Sequence, residues 1–175
     1  MRFASLAGVR PLGLEPRRRT ALTVDPPSPH GTSDWTLTID VDERFYFKPE
    51  AGRLLLSPAD ETLSPPCDAQ PEELDVALAI DRIQQVAELP VTRVHARWAG
   101  LRTFAPDRTF VIGEDPRADG FFWLAGQGGY GVQSCAGVAD LVRFALGADH
   151  ARYSTLTRDD AARLLKETAP SRLLT

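Results

Sequence analysis

The chain has 175 residues, 43% of them hydrophobic, which is enough to bury the core of one domain, or of one domain with an appended element. Its 20 basic and 24 acidic residues give a net charge of −4, which argues against nucleic acid or an anionic membrane as a general partner. No apolar run reaches the roughly 20 residues that span a bilayer, and no signal peptide is visible. The sequence therefore predicts a soluble, cytoplasmic protein.

Cysteine and histidine are too sparse and too scattered to predict a metal site. Cys67 and Cys135 lie far apart and have no C-x-x-C spacing, so neither a disulfide framework nor a zinc site is expected. The three histidines, His30, His95 and His150, are not within ligand spacing of one another or of a cysteine. We expect all three to be surface or structural residues, and we predict no metal.

The first part of the chain is predicted to be rich in strands. The basic run Arg17–Arg19 leads into the sequence ALTV, which predicts a solvated strand edge in preference to a transit peptide. Apolar and polar residues alternate over Trp35–Val41, which predicts a strand with one face on a core. The stretch RFYFKPEAGRLLLS predicts a β-hairpin with a four-residue connection, Pro49–Gly52.

The second part of the chain adds helices to these strands. Acidic residues in its first turn and an apolar face predict a helix over Pro71–Leu89. Further strands are predicted over Val91–Ala96, Thr109–Gly113 and Phe121–Ala125, and further helices over Val132–Leu146 and after the candidate cap Thr157. Strands come first and helices do not alternate strictly with them, so the predicted class is α+β with a largely antiparallel sheet.

A glycine-rich loop lies between the last predicted strand and the helix that follows it. The order strand, glycine loop, helix suits an anion, because the first N–H groups of the helix are unpaired at its positive end. Gly126, Gly128 and Gly131 match the letters of the dinucleotide fingerprint G-x-G-x-x-G. No second parallel strand follows, and Asp149 ends no strand, so we reject that fingerprint. Two interpretations stay open: a cofactor loop, or a closely packed turn that caps the helix.

Three stretches together resemble the C-terminal half of the FAD-dependent D-amino-acid oxidase superfamily, which includes glycine oxidase and sarcosine oxidase-like enzymes. They are FYFKPEAGRLLLSPADE, WAGLRTFAPDRTFVIGEDP and GFFWLAGQGGYGVQS. The resemblance implies an antiparallel substrate domain and the C-terminal strand, loop and helix of a split FAD-binding domain. The domain boundaries it implies are 1–24 for a remnant of the FAD-binding domain, 25–100 for the substrate domain, 101–147 for the return segment with the glycine loop, and 148–175 for a tail with a short helix.

The resemblance also implies a cofactor, FAD, and roles for individual residues. The flavin candidates are the loop residues Gly128, Gly129, Tyr130, Gly131, Val132 and Gln133, whose backbone N–H groups would stabilise negative charge on the reduced flavin. Arg102 matches the family arginine that binds the substrate carboxylate, and Tyr46 matches a tyrosine that donates its O–H to the same group. The other interpretations are a surface salt bridge for Arg102 and aromatic packing for Tyr46. Trp98 and Trp123 are expected in the core.

The implied reaction is oxidation of the C–N bond of an amino acid or related amine by hydride transfer to flavin, which needs no catalytic base. The chain supplies no N-terminal nucleotide-binding segment, so we expect a truncated product, a second polypeptide that carries the missing half, or a start placed too late. Two alternatives are a non-catalytic remnant or interaction module and, further behind, a stand-alone NAD-binding protein.

Overall fold

The computed structural model describes residues 2–27 and 32–174, and the chain divides into two compact units. One, the sheet unit, is Pro16–Leu101, and the other, the glycine-loop unit, combines Met1–Glu15 with Arg102–Thr175. None of the helices in the described residues combines the length and hydrophobicity that crossing a bilayer requires. His30 lies outside the described residues, so its predicted role is not tested.

The elements confirm an α+β fold. The strands are β1 Glu15–Val24, β2 Thr38–Ile39, β3 Tyr46–Glu50, β4 Arg53–Ser57, β5 Val94–Phe104, β6 Val111–Glu114 and β7 Phe122–Ala125. The helices are α1 Arg2–Leu6, α2 Glu73–Gln84, α3 Cys135–Ala145 and α4 Arg158–Thr168, followed by a short 3₁₀ turn at Pro170–Leu173.

The sheet unit is a five-stranded sheet in the order β2-β3-β4-β1-β5, covered on one face by α2. In the antiparallel register, Leu56 of β4 is opposite both Leu22 of β1 and Phe47 of β3. Residues directly opposite each other project from the same face, and these three pack against Val76 and Ile83 of the helix. The predicted apolar helix face is therefore the one that closes this core.

The predicted strand over Trp35–Val41 is mostly wrong, because only Thr38 and Ile39 pair as a strand. These two residues form the edge of the sheet, and the apolar side chains of Leu37, Ile39 and Val41 are exposed. Trp35 makes an edge-to-face contact with Phe47, with ring centroids 6.2 Å apart. Alternation shows that a segment has an apolar face, but it does not show that another element covers that face.

The predicted solvated edge at the basic run is also wrong, because β1 lies between β4 and β5. Arg18 is 9% exposed and donates from Nη2 to a carboxylate oxygen of Asp75 at 2.8 Å. It also pairs with Glu72, and its Nε lies 3.7 Å from Asp60. Burial raises the pKa of Asp60, although hydrogen bonds from the Thr20 N–H and hydroxyl act against this rise. The acidic residues that pair with Arg18 lie much later in the sequence, so no local sequence pattern predicts these contacts.

The predicted hairpin is confirmed as the pair β3–β4, with a shorter connection than expected. Pro49 and Glu50 belong to the strand, and Ala51 and Gly52 form the turn with φ values of 48° and 77°. Two consecutive residues with positive φ are typical of a type I′ turn, whose twist matches that of the strands it joins.

The glycine-loop unit contains the antiparallel pair β6–β7 and the helices α3 and α4. One core cluster places Ile112 of β6 against Leu141 of α3 and Ala161 of α4. The predicted cap of the last helix is confirmed: the Thr157 side chain accepts from the Asp160 N–H, and the Asp160 carboxylate accepts in return.

Two buried carboxylates fix loops of this unit. Asp115 accepts hydrogen bonds from Arg117 and, at 2.9 Å, from the indole N–H of Trp123. These bonds outweigh burial and hold the pKa of Asp115 well below its usual range. Burial raises the pKa of Asp140, but bonds from three consecutive backbone N–H groups, Arg152 to Ser154, outweigh it, so this pKa is lowered. Trp123 is in the core as predicted, whereas Trp98 is exposed.

Candidate functional site

The glycine loop runs from the end of β7 to the start of α3 and is attached to the end of β5. Gln127 forms an antiparallel bridge with Phe104, and the Gly128 N–H donates to the carbonyl oxygen of Thr103 at 2.9 Å. The helix α3 begins at Cys135 rather than at Val132, so the loop is three residues longer than predicted. The segment 128 to 131 therefore begins at a point where the backbone is hydrogen-bonded to β5.

The absence of side chains at Gly128 and Gly129 makes room for other residues of this chain. A Cβ atom on Gly128 would lie 2.4 Å from Cε1 of the Phe104 ring, and one on Gly129 would lie 2.7 Å from Nη1 of Arg102. A Cβ on Gly131 would likewise meet the Gln127 side chain at 3.2 Å. On these sides the loop is closely packed, which agrees with the interpretation of the glycines as a packing turn.

Most backbone N–H groups of the loop nevertheless have no hydrogen-bond acceptor among the described residues. Of the six residues predicted to contact flavin, Gly128 donates to Thr103 and Tyr130 donates to Gln127. Within the part of the chain that the structure describes, no acceptor pairs with the N–H groups of the other four, Gly129, Gly131, Val132 and Gln133. The Ser134 hydroxyl donates to the Tyr130 carbonyl, so it does not cap α3. Within the described residues, these four N–H groups near the start of α3 have no acceptor, and donors at the positive end of a helix are suited to an anionic or electron-rich ligand.

Arg102 lies beside this array, in the middle of the glycine-loop contacts. Arg102 as a whole residue is partly buried, yet none of the described residues gives its guanidinium a hydrogen bond or a carboxylate partner. Arg102 and Phe104 are two residues apart on β5, so their side chains project from the same face of the strand. A guanidinium held in place with its N–H groups unspent can bind both oxygens of a carboxylate at once.

Tyr46 lies in the sheet unit, on β3, directly opposite Ile39 of β2 and Ser57 of β4. It is partly buried, and no described residue accepts from or donates to its hydroxyl. The structure thus brings Arg102 and the loop together in one unit, while Tyr46 belongs to the other. A joint role for Tyr46 and Arg102 stays a prediction.

A family model identifies the protein family of this chain. The family model described as FAD dependent oxidoreductase matches residues 3–144. The chain belongs to this family. The family is FAD-dependent, so the predicted superfamily and the predicted cofactor are both confirmed.

The fold of this family member is shared with solved oxidases and dehydrogenases. The glycine oxidase of Geobacillus kaustophilus matches with a TM-score of 0.71 at 20% identity, over 98% of this chain and 42% of that one. The L-proline dehydrogenase of P. horikoshii matches with a TM-score of 0.71 at 17% identity, over 95% of this chain and 44% of that one. The iminodiacetate oxidase of Chelativorans sp. BNC1 matches with a TM-score of 0.68 at 15% identity, over 95% of this chain and 43% of that one. This chain therefore spans less than half the length of these relatives.

Sequence reasoning missed the residues that hold the loop in place. Phe104 fills the space beside Gly128, and the Arg108 guanidinium lies over the Phe104 ring, 4.4 Å from its centroid. The signal available in the sequence was the pair of bulky side chains, Arg102 and Phe104, two positions apart at the end of a strand. That spacing places the two side chains on one face of the strand, but it does not predict which glycines they contact.

Proposed function

We propose that this chain is the substrate-binding and flavin-contacting part of an FAD-dependent oxidoreductase that oxidises the C–N bond of an amino acid or related amine. One observation carries the proposal: Arg102, which has no carboxylate partner among the described residues, lies against a loop with four unspent N–H groups. A protein arginine with no acid to pair with is suited to bind one from a ligand. Family membership and the oxidases and dehydrogenase that share the fold support the same reaction class.

In this proposal each group has a defined task. Arg102 binds the substrate carboxylate through two parallel hydrogen bonds, and Tyr46 donates its O–H to the same carboxylate. The loop, Gly128 to Gln133, would hold the flavin, and its unpaired N–H groups would stabilise negative charge on the reduced cofactor. FAD, when bound, supplies the hydride acceptor. The protein residues orient the Cα–H bond and exclude water, and no residue acts as a catalytic base.

The domain assignment belongs to the same proposal. Residues 1–24 and 101–147 would be parts of a split FAD-binding domain, residues 25–100 the substrate domain, and residues 148–175 an appended tail. The two described units divide the chain at Glu15 and Leu101, and residues 148–175 belong to the same unit as the glycine loop. The comparisons give no support to a separate polypeptide that carries a nucleotide-binding half.

The second candidate is a non-catalytic module that retains the fold. The observation that favours it is length, because the chain covers only 42% of the Geobacillus glycine oxidase. The two candidates differ in whether the chain retains flavin, so flavin binding separates them.

The deciding experiment is the visible absorption spectrum of the purified chain after incubation with FAD and removal of free cofactor. A second sample is co-expressed with a candidate nucleotide-binding half. Bound flavin in either sample, with a spectrum that changes on adding an amino-acid substrate anaerobically, supports the oxidoreductase. A folded, monomeric chain that retains no flavin in either sample contradicts it and favours the non-catalytic module.

A further inference from the structure

The position of Arg102 is set by a packing contact. A Cβ atom on Gly129 would lie 2.7 Å from Nη1, 3.1 Å from Cζ and 3.6 Å from Nε of Arg102, so the head of this side chain lies against the bare Cα of the glycine. Real Cβ atoms essentially never approach a neighbour as closely as 2.7 Å. The guanidinium therefore occupies space that exists only because residue 129 has no side chain.

Other arginines of the same unit are held differently. Arg172 donates to the Asp107 carboxylate at 2.6 Å from Nε, and Arg117 donates to Asp115 at 2.7 Å from Nη2. For Arg102 none of the described residues supplies such a bond. Since no ion pair with a described residue fixes the Arg102 guanidinium, we infer that its contact with Gly129 determines where the charge lies.

The loop backbone next to Gly129 is held in place by contacts with β5. The residue before Gly129 is tied to β5 by the bond from the Gly128 N–H to the Thr103 carbonyl, 2.9 Å long. The ring of Phe104 fills the space beside Gly128, and the Arg108 guanidinium lies over that ring. If a side chain is introduced at position 129, the flexible end of Arg102 has to move, because the backbone is held.

We propose that Gly129 is a positioning residue for Arg102, and that its missing side chain sets the affinity of the site for a carboxylate. This inference rests on the proposed function, because it assigns the Arg102 guanidinium to a substrate carboxylate. It separates the role of Gly129 from the flavin contacts of the same loop. Residue 129 acts through Arg102 and touches the substrate only through it.

The chain offers a variant and a matched control. Gly129 and Gly137 lie in the same unit, and neither has its backbone in the left-handed region, so alanine is compatible with both conformations. Gly129→Ala places its Cβ against Arg102, whereas Gly137→Ala, on α3, places it 3.7 Å from the Leu156 side chain, an ordinary van der Waals contact. Gly128→Ala is unsuitable, because φ is +51° and the Phe104 ring lies 2.4 Å from the new atom.

The experiment compares the full chain and its two alanine variants by NMR on ¹⁵N-labelled protein. The Nε–H signal of Arg102 is assigned by its loss in Arg102→Lys. Propionate serves as the carboxylate probe and propionamide as its uncharged control. We expect Gly129→Ala to shift the Arg102 signal and weaken propionate binding about tenfold, the equivalent of one misplaced charge-assisted hydrogen bond. Gly137→Ala should leave both quantities unchanged, and the melting temperature of each variant reports any general loss of structure.

The proposal is overturned if Gly129→Ala leaves the Arg102 signal and the propionate affinity as they are, or if Gly137→Ala changes them equally. A wild-type chain that binds propionamide as well as propionate contradicts the proposed function. In that case a shifted Arg102 signal confined to Gly129→Ala still supports the positioning role. The two failures are therefore distinguishable in one set of spectra.

Discussion

Two arginines of this chain show opposite uses of the same side chain. Arg18, in the sheet unit, is buried, its two terminal nitrogens donate to Glu72 and Asp75, and its Nε lies 3.7 Å from Asp60. Arg102, in the glycine-loop unit, is partly buried and packs on a bare glycine, with no carboxylate partner among the described residues.

This difference shows how an arginine that stabilises the fold can be distinguished from one that is available to bind a ligand. An arginine whose donors are spent on the protein contributes to stability, because removing it leaves buried acids unpaired. An arginine held by packing keeps its donors for a ligand, and its loss leaves nothing in the fold unpaired. Stability measurements and ligand-binding measurements should therefore respond to different residues.

The largest effect is expected at Arg18. Arg18→Met removes the cation but leaves Asp60 and Asp75 buried, so the free energy of unfolding should fall by about 3–5 kcal/mol. Urea denaturation followed by circular dichroism measures this loss. Arg163→Met is the control, because Arg163 is exposed and its bond to Glu167, 3.2 Å long, lies on the surface; its expected cost is below about 1 kcal/mol. Equal losses in the two variants would show that the Arg18 cluster is not structural.

Arg102 should behave in the opposite way. Arg102→Leu removes two charge-assisted hydrogen bonds to the substrate carboxylate and should weaken carboxylate binding about 100-fold. Its free energy of unfolding should stay within about 0.5 kcal/mol of the wild type. Isothermal titration with the carboxylate ligand and urea denaturation measure the two quantities. A marked loss of stability with unchanged affinity would assign Arg102 to the structural class beside Arg18.

The buried carboxylate of Asp115 gives a pH-dependent test. Its pKa is lowered in the fold, so it contributes stability above the unfolded pKa of about 3.9, and this contribution is lost as pH falls towards the folded value. Asp115→Asn should cost about 2 kcal/mol at neutral pH, because the bonds from Arg117 and Trp123 lose their charged acceptor. The difference between variant and wild type should shrink on acidification, and a constant difference from neutral to acidic pH would contradict this account.

The smallest effect is expected at Tyr46. No described residue bonds to its hydroxyl, so Tyr46→Phe should leave the melting temperature unchanged. If the hydroxyl donates to the substrate carboxylate, affinity should fall about tenfold, as for one hydrogen bond to a charged group. Tyr153→Phe, at an exposed position, is the control. Equal affinity in wild type and Tyr46→Phe would return Tyr46 to aromatic packing.

Much of the fold could be predicted from local signals. The hairpin β3–β4, the helix α2 and the capped helix α4 follow from turn chemistry, apolar spacing and a capping residue, all of which act over a few residues. The exposed segment Trp35–Val41 and the buried Arg18 could not be predicted, because both depend on which distant segment lies alongside. In the second case the deciding partner, Asp75, is on α2.

Some features of the candidate site could likewise be predicted from the sequence and others could not. Arg102, Tyr46 and the glycine loop were found by resemblance to a family, because their order along the chain is distinctive. The contact between Arg102 and Gly129 was not predicted, because the absence of a side chain carries no signal about what fills the space. The glycines were expected to leave space for a ligand, whereas Gly128, Gly129 and Gly131 pack closely against side chains of the same protein.

The short edge strand β2 affects how the chain behaves at high concentration. An edge strand offers unpaired N–H and C=O groups to other strands, and the exposed side chains of Leu37, Ile39 and Val41 would favour such pairing. Only two residues are in strand conformation, however, and the ion pair between Asp40 and Arg44, with Nε and the carboxylate 2.7 Å apart, follows directly. This edge is thus too short and too charged to be a good template for a growing sheet, although it exposes apolar side chains.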